Sequence, residues 1–108
     1  MRRSRNTPAA DLARSAARAE ALLKQLANAA RLRILCSLME DGQTVGELSE
    51  IAGLSQSAVS QHLMRMREAG LVAAERQGQA MVYRLCSMEV RALISTLYLI
   101  YCGPGAKN

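Results

Sequence analysis

Aromatic residues are the scarcest class in this chain: there is no Trp and no Phe, and three Tyr make up the whole 3%. A nucleic-acid platform built from bases stacked on aromatic rings, the usual device for single-stranded RNA, therefore has no material here. Histidine is nearly missing too, with His62 alone. Imidazole clusters for borderline metals cannot be assembled from it, and no general base stands near a cysteine. The three cysteines include no Cys-x-x-Cys, which counts against a small thiol enzyme. No signal-peptide pattern opens the chain, and its longest apolar run, near the C-terminus, is too short to cross a bilayer. The expected setting is the cytoplasm, without a membrane partner. In that compartment the cysteines read as thiols, metal ligands or redox sensors rather than staples.

Acidic residues are outnumbered as well, 9 against 14 basic ones, giving a net charge of +5 and a pI near 9.6. That balance suits a polyanion such as nucleic acid. Most of the cations are Arg, whose planar fork grips phosphate and guanine in bidentate fashion. At 108 residues the chain is one domain, large enough for a core and small enough to gain from a second copy.

One stretch carries the chemistry. Ser55 is a good N-cap, and Val59, Leu63 and Met66 recur at helical spacing to make an apolar stripe, with Gly70 as a left-handed stop beyond. The opposite face holds Gln56, Ser57, Ser60 and Gln61, with His62 beside them and Arg65 one turn on. Amides, hydroxyls and a guanidinium near a helix start are the groups that read base edges and hold phosphates, whereas a merely solvated face usually carries Glu and Lys pairs. Just upstream, Thr44-Val45-Gly46-Glu47 is a capping box opening a short helix to Ile51, with Val45, Leu48 and Ile51 on one side. Ala52-Gly53-Leu54 is the turn between the two, so the pair forms a helix-turn-helix.

The flanks complete a domain. Residues 1–8 read as a basic, disordered tail, residues 9–102 as the folded unit and residues 103–108 as a flexible tail. Thr7-Pro8 sets the cap and first position of a helix reaching about Ala27, with Leu12, Ala16, Ala19, Leu23 and Leu26 on one face. Asn28 caps a second helix to about Glu40, ended by Gly42, with Leu32, Leu35, Cys36 and Met39 inward. After Gly70, the segments 71–76 and 80–85 suit strands around Gln77-Gly78-Gln79. A hairpin directly after a recognition helix is a wing, and Arg76 and Gln79 at its tip are placed to reach the DNA backbone or minor groove. Ser87 caps a last helix to Cys102 that is apolar nearly all round. Too apolar for one buried stripe, it calls for a second burial surface. The expected fold is mainly α with a β-hairpin wing, in the order α-α-α-α-β-β-α, a winged helix-turn-helix dimerising through its first and last helices. Such a dimer presents two recognition helices to a pseudo-palindromic double-stranded operator.

The segments Ala27-Asn28-Ala29-Ala30-Arg31-Leu32-Arg33-Ile34-Leu35, Leu54-Ser55-Gln56-Ser57-Ala58-Val59-Ser60-Gln61-His62-Leu63 and Leu71-Val72 together resemble the ArsR/SmtB family of bacterial repressors, over roughly Ala10 to Cys102. The resemblance implies operator-binding dimers released by an inducer, often a metal ion. The family's arsenic-type site needs cysteines where this chain has Thr44 to Leu48, and its zinc-type site needs Asp and His along the last helix. Neither set is present, and no metal or cofactor is expected. What is present is Cys36 on the second helix and Cys102 at the end of the last one, similar to the family's persulfide-sensing branch. That likeness implies two sensing thiols, Cys36 and Cys102, which reactive sulfur (persulfide or polysulfide) links, lowering operator affinity. Cys86 has no counterpart in that pattern. A thiolate sensor of metals or metalloids using Cys36, Cys102 and Cys86, or a redox-sensing regulator of the same fold, stays open beside it.

Overall fold

Every helix start marked in the sequence carries its cap in the computed structural model, which describes residues 7–105. The Thr7 hydroxyl accepts from the Ala10 amide at 3.0 Å to open α1 (Pro8–Arg14). Asn28 Oδ1 accepts from the Arg31 amide at 3.0 Å to open α3 (Ala29–Ser37). Ahead of α4 (Val45–Ala52) the capping box is complete, with the Glu47 amide donating to Thr44 Oγ1 at 3.2 Å and the Thr44 amide donating to Glu47 Oε1 at 2.8 Å. Ser55 and Ser87 do the same for α5 (Gln56–Glu68) and α6 (Met88–Tyr101), each accepting at 3.1 Å. Caps of this kind are worth about 1 kcal/mol apiece. The basic residues 1–6 of the expected tail, and residues 106–108, lie outside the described residues.

In secondary structure, three elements depart from the sequence expectation. The first helix is two, α1 and α2 (Ala16–Leu26), because Ser15 leaves helical geometry with ψ 12° while its amide still donates to the Asp11 and Leu12 carbonyls. Serine is a weak helix former whose chain can pass through such a turn cheaply. The second helix stops at Ser37 rather than Glu40: the Ser37 hydroxyl donates to the Ile34 carbonyl at 2.7 Å, and the Gln43 side chain takes the Ser37 carbonyl at 3.4 Å. A two-residue strand then appears, β1 (Gln43–Thr44), hydrogen-bonded antiparallel to the wing.

The wing itself is β2 (Val72–Gln77) and β3 (Ala80–Leu85), in register from Val72 opposite Leu85 to Gln77 opposite Ala80. The sheet order is β1-β3-β2. Gly42 is not a helix stop. A Cβ there would sit 2.5 Å from Val82 Cγ1 and 3.1 Å from the Arg84 guanidinium, so glycine is what lets β1 close onto β3. Gly53, at φ 69°, makes the left-handed turn between α4 and α5.

The inner stripe of α5, Val59, Leu63 and Met66, is fully buried in one cluster with Ile34 and Leu35 of α3, Leu48 of α4 and Val90 of α6. Burial of this kind contributes about 1.5–3 kcal/mol for each large side chain, enough to fix the orientation of α5 and hence of its outer face. Two inward assignments are corrected. Ile34 is buried and Cys36 exposed on α3, and on α4 Ala52 is buried where Ile51 is 47% exposed. Leu12 and Leu23 on the first two helices, and Leu99 and Ile100 on α6, are all more than half exposed.

Candidate nucleic-acid interface and thiol cavity

Because the core fixes one side of α5, the other side is presented outward. Gln56, Ser57, Ser60, Gln61 and Arg65 are exposed, and among the described residues none of their side chains is spent on a hydrogen bond or ion pair within the chain. Arg67 adds a second cation in the last turn. At the wing, Arg76 lies near the end of β2 and Gln79 in the Gly78-Gln79 turn, both exposed. Arg84 is paired across the hairpin with Glu75 at 3.2 Å, a half-exposed contact of the kind that adds little stability but orders the wing's face.

His62 differs from its neighbours. It is half-buried, and its Nδ1 accepts from Arg31 Nε on α3 at 3.3 Å. An accepting Nδ1 carries no proton, which assigns the ring as neutral with its hydrogen on Nε2. Burial, then the Arg31 guanidinium, then Arg65 hold its pKa below that of an ordinary histidine. Arg31 also reaches the Lys24 carbonyl with Nη1 at 3.5 Å, so it ties the second, third and fifth helices together. Nothing in the local sequence marks Arg31. Its partner is 31 positions away, beyond any spacing rule.

Cys36 on α3 and Cys102 at the C-cap of α6, far apart in sequence, line one cavity of about 950 Å3 between the two helices. Leu32, Met39, Ile94, Leu97, Tyr98 and Tyr101 make most of its wall, with the exposed Glu40 on its rim. Although Cys36 is exposed as a residue, the wall shields its sulfur enough that desolvation raises the thiol pKa. The proximity of Cys102 raises it further. All three cysteines are free thiols. Cys86 stands apart from the cavity, after β3, with its sulfur 3.5 Å from the Gly70 carbonyl. Among the described residues no group of three or more His, Cys, Asp or Glu side chains is arranged to hold a metal ion, and no helix is long and apolar enough to cross a membrane.

A helix-turn-helix with an outward polar second helix, followed at once by a β-hairpin, defines a winged-helix DNA-binding transcription regulator. This chain belongs to the arsR family of bacterial regulatory proteins, whose family model matches residues 28–74. It is 46% identical over 92 residues to the transcriptional activator HlyU of Vibrio cholerae, covering 85% of each chain. The crystal structure of the transcriptional repressor BigR from Xylella fastidiosa matches with a TM-score of 0.83 at 34% identity, over 91% of this chain and 100% of that one. The homodimeric winged helix-turn-helix DNA-binding domain Mb0332 of Mycobacterium bovis, a possible ArsR-family transcriptional regulator, matches with a TM-score of 0.66 at 28% identity, over 91% and 85%.

Proposed function

We propose that the chain is an operator-binding repressor that senses reactive sulfur through Cys36 and Cys102. The observation that carries this reading is the shared cavity: two thiols from α3 and α6 line one space, while Cys86 lies outside it. α3 packs against α4, and through it against the DNA-reading α5; α6 carries the exposed Leu99 and Ile100. A sulfur bridge between the two cysteines would pull these units into a new relative position. Operator affinity depends on the spacing of two half-site readers, so a small rotation of each is enough to weaken it.

Gln56, Ser57, Ser60, Gln61 and Arg65 are the proposed contacts in the major groove, and Arg76 and Gln79 the contacts from the wing. His62 serves them by fixing Arg31 rather than by touching a base. The functional unit is a homodimer through the first and last helices. Supporting it are the exposed Leu12, Leu23, Leu99 and Ile100 and the homodimeric state of Mb0332.

Mobility shift with and without polysulfide, paired with mass spectrometry, is the test. Polysulfide is expected to build an intramolecular Cys36–Cys102 bridge and release operator DNA. Cys36→Ser and Cys102→Ser should each bind DNA and fail to respond, while Cys86→Ser responds as wild type. A bridge that includes Cys86, or release by the Cys102→Ser variant, would overturn the reading.

A further inference from the structure

We infer that the thiol cavity selects neutral, apolar sulfur carriers, small organic polysulfides, over anionic ones of the same reactivity, with Glu40 acting as an anion filter at its rim. The inference rests on the sensing role proposed for Cys36 and Cys102 and adds the chemical class of what they sense. The cavity holds no counter-charge: among the residues that line it there is no Lys, Arg or His. Its polar atoms are few, the Ser95 and tyrosine hydroxyls and the Glu40 carboxylate, and the rest is Leu, Ile, Met and aromatic ring. The Arg91 guanidinium is committed to the Met39 carbonyl at 2.8 Å and is not part of the lining.

An anion entering such a space sheds water and gains nothing in return, and it meets Glu40 on the way in. A neutral carrier loses no charge hydration and covers apolar wall. The volume, about 950 Å3, leaves room for a chain of several atoms to lie along both sulfurs. Burial and the neighbouring Cys102 already push the Cys36 thiol up, and a negative charge on the reactant would push it the same way, which disfavours an anionic reactant again.

The reaction with a dialkyl trisulfide balances without further reagents. One cysteine, as its thiolate, attacks the central sulfur; the bond from that sulfur to one alkylthio group breaks, and the alkanethiolate leaves, taking up the proton the cysteine released. The second cysteine attacks the same sulfur and expels the other alkanethiol in the same way. Two thiols and one dialkyl trisulfide become one Cys36–S–Cys102 trisulfide bridge and two alkanethiols. The protein dithiol is oxidised by two electrons and the carrier reduced by two.

The decisive pair of probes is dipropyl trisulfide and bis(2-carboxyethyl) trisulfide, similar in length and differing by two carboxylates. Bridge formation is timed by intact mass, as the gain of one sulfur and loss of two hydrogens, and each rate is divided by that probe's rate with free cysteine. The neutral probe is expected to be faster by about tenfold or more, a fraction of the full penalty for desolvating carboxylates, because the cavity is open at one side. Glu40→Gln should narrow the ratio. Equal normalised rates in the wild type, or a faster dicarboxylate, overturn the selectivity while leaving the dithiol switch intact. An unchanged ratio in Glu40→Gln overturns the filter role of Glu40. Failure of both probes to build any bridge tells instead against the sensing reading itself.

Discussion

His62 works in its place by staying neutral. Its Nδ1 can accept from Arg31 only while unprotonated, and burial, then Arg31, then Arg65 oppose a charge there. The folded pKa therefore lies below the ordinary histidine value of about 6.5, which the unfolded chain keeps. Between those two values the unfolded state binds more protons. The stability that His62 contributes is thus complete above about pH 6.5 and is lost as pH falls through the folded pKa. As the only histidine, its ring resonances can be followed without assignment; the titration midpoint should fall below that of an ordinary histidine. His62→Gln, which can still accept from Arg31, should flatten the pH dependence of unfolding in that window. A midpoint at or above the ordinary value, or an unchanged profile in the variant, would refute the Arg31 contact. At this scale the sequence was legible where a helix supplies the rule: the polar row of α5 follows from the buried stripe opposite. It was silent on the His62–Arg31 contact, and misleading for Cys36, because apolar residues crowd α3 on several sides and more than one rotation of the helix looks plausible until its neighbours choose.

Among the elements, α5 bears the DNA-reading proposal. Gln56 and Ser57 are exposed in its first turn, so truncating them should leave thermal unfolding near that of the wild type. Gln56→Ala or Ser57→Ala should weaken binding to a mapped operator by about 1–3 kcal/mol, measured by mobility shift or anisotropy at fixed salt. Wild-type affinity in both variants would take α5 out of the groove. Most elements could be read from the chain because their ends carry chemistry: Thr7, Asn28, Thr44, Ser55 and Ser87 each cap a helix through a hydroxyl or amide that sequence alone displays. The break at Ser15, the early end of α3 and the strand β1 were not legible. Each is decided by a single carbonyl or a two-residue pairing, too short to leave any periodicity.

The molecule as a whole is longer than its size requires. Its radius of gyration is 16.7 Å, with extents of 64 × 34 × 21 Å, where a compact chain of this length has about 13 Å. An extended shape with Leu23 and Leu99 exposed by more than half is what half of an assembly looks like. Ile100→Glu should give a folded monomer in sedimentation at micromolar concentration, with operator binding much weakened; Ile100 is 56% exposed and is not part of the cavity lining. Leu93 is a poorer target, since it packs on the chain's own core, and Leu97 and Leu99 both line the thiol cavity. A wild-type chain sedimenting as a monomer, or an Ile100→Glu chain dimerising normally, would contradict the proposed interface. Within the chain the strand β1 has a mechanical consequence. It runs directly into the cap of α4 and is hydrogen-bonded to β3, with Gln43 opposite Tyr83 and Thr44 opposite Val82. The hairpin is thereby clamped to the base of the helix-turn-helix and turns with it as one lever. If α5 and the wing make the contacts proposed for them, whatever tilts α3 would lift both in the same stroke, so a footprint on the operator is expected to vanish across both halves of each site together, with no stage at which the wing alone still grips.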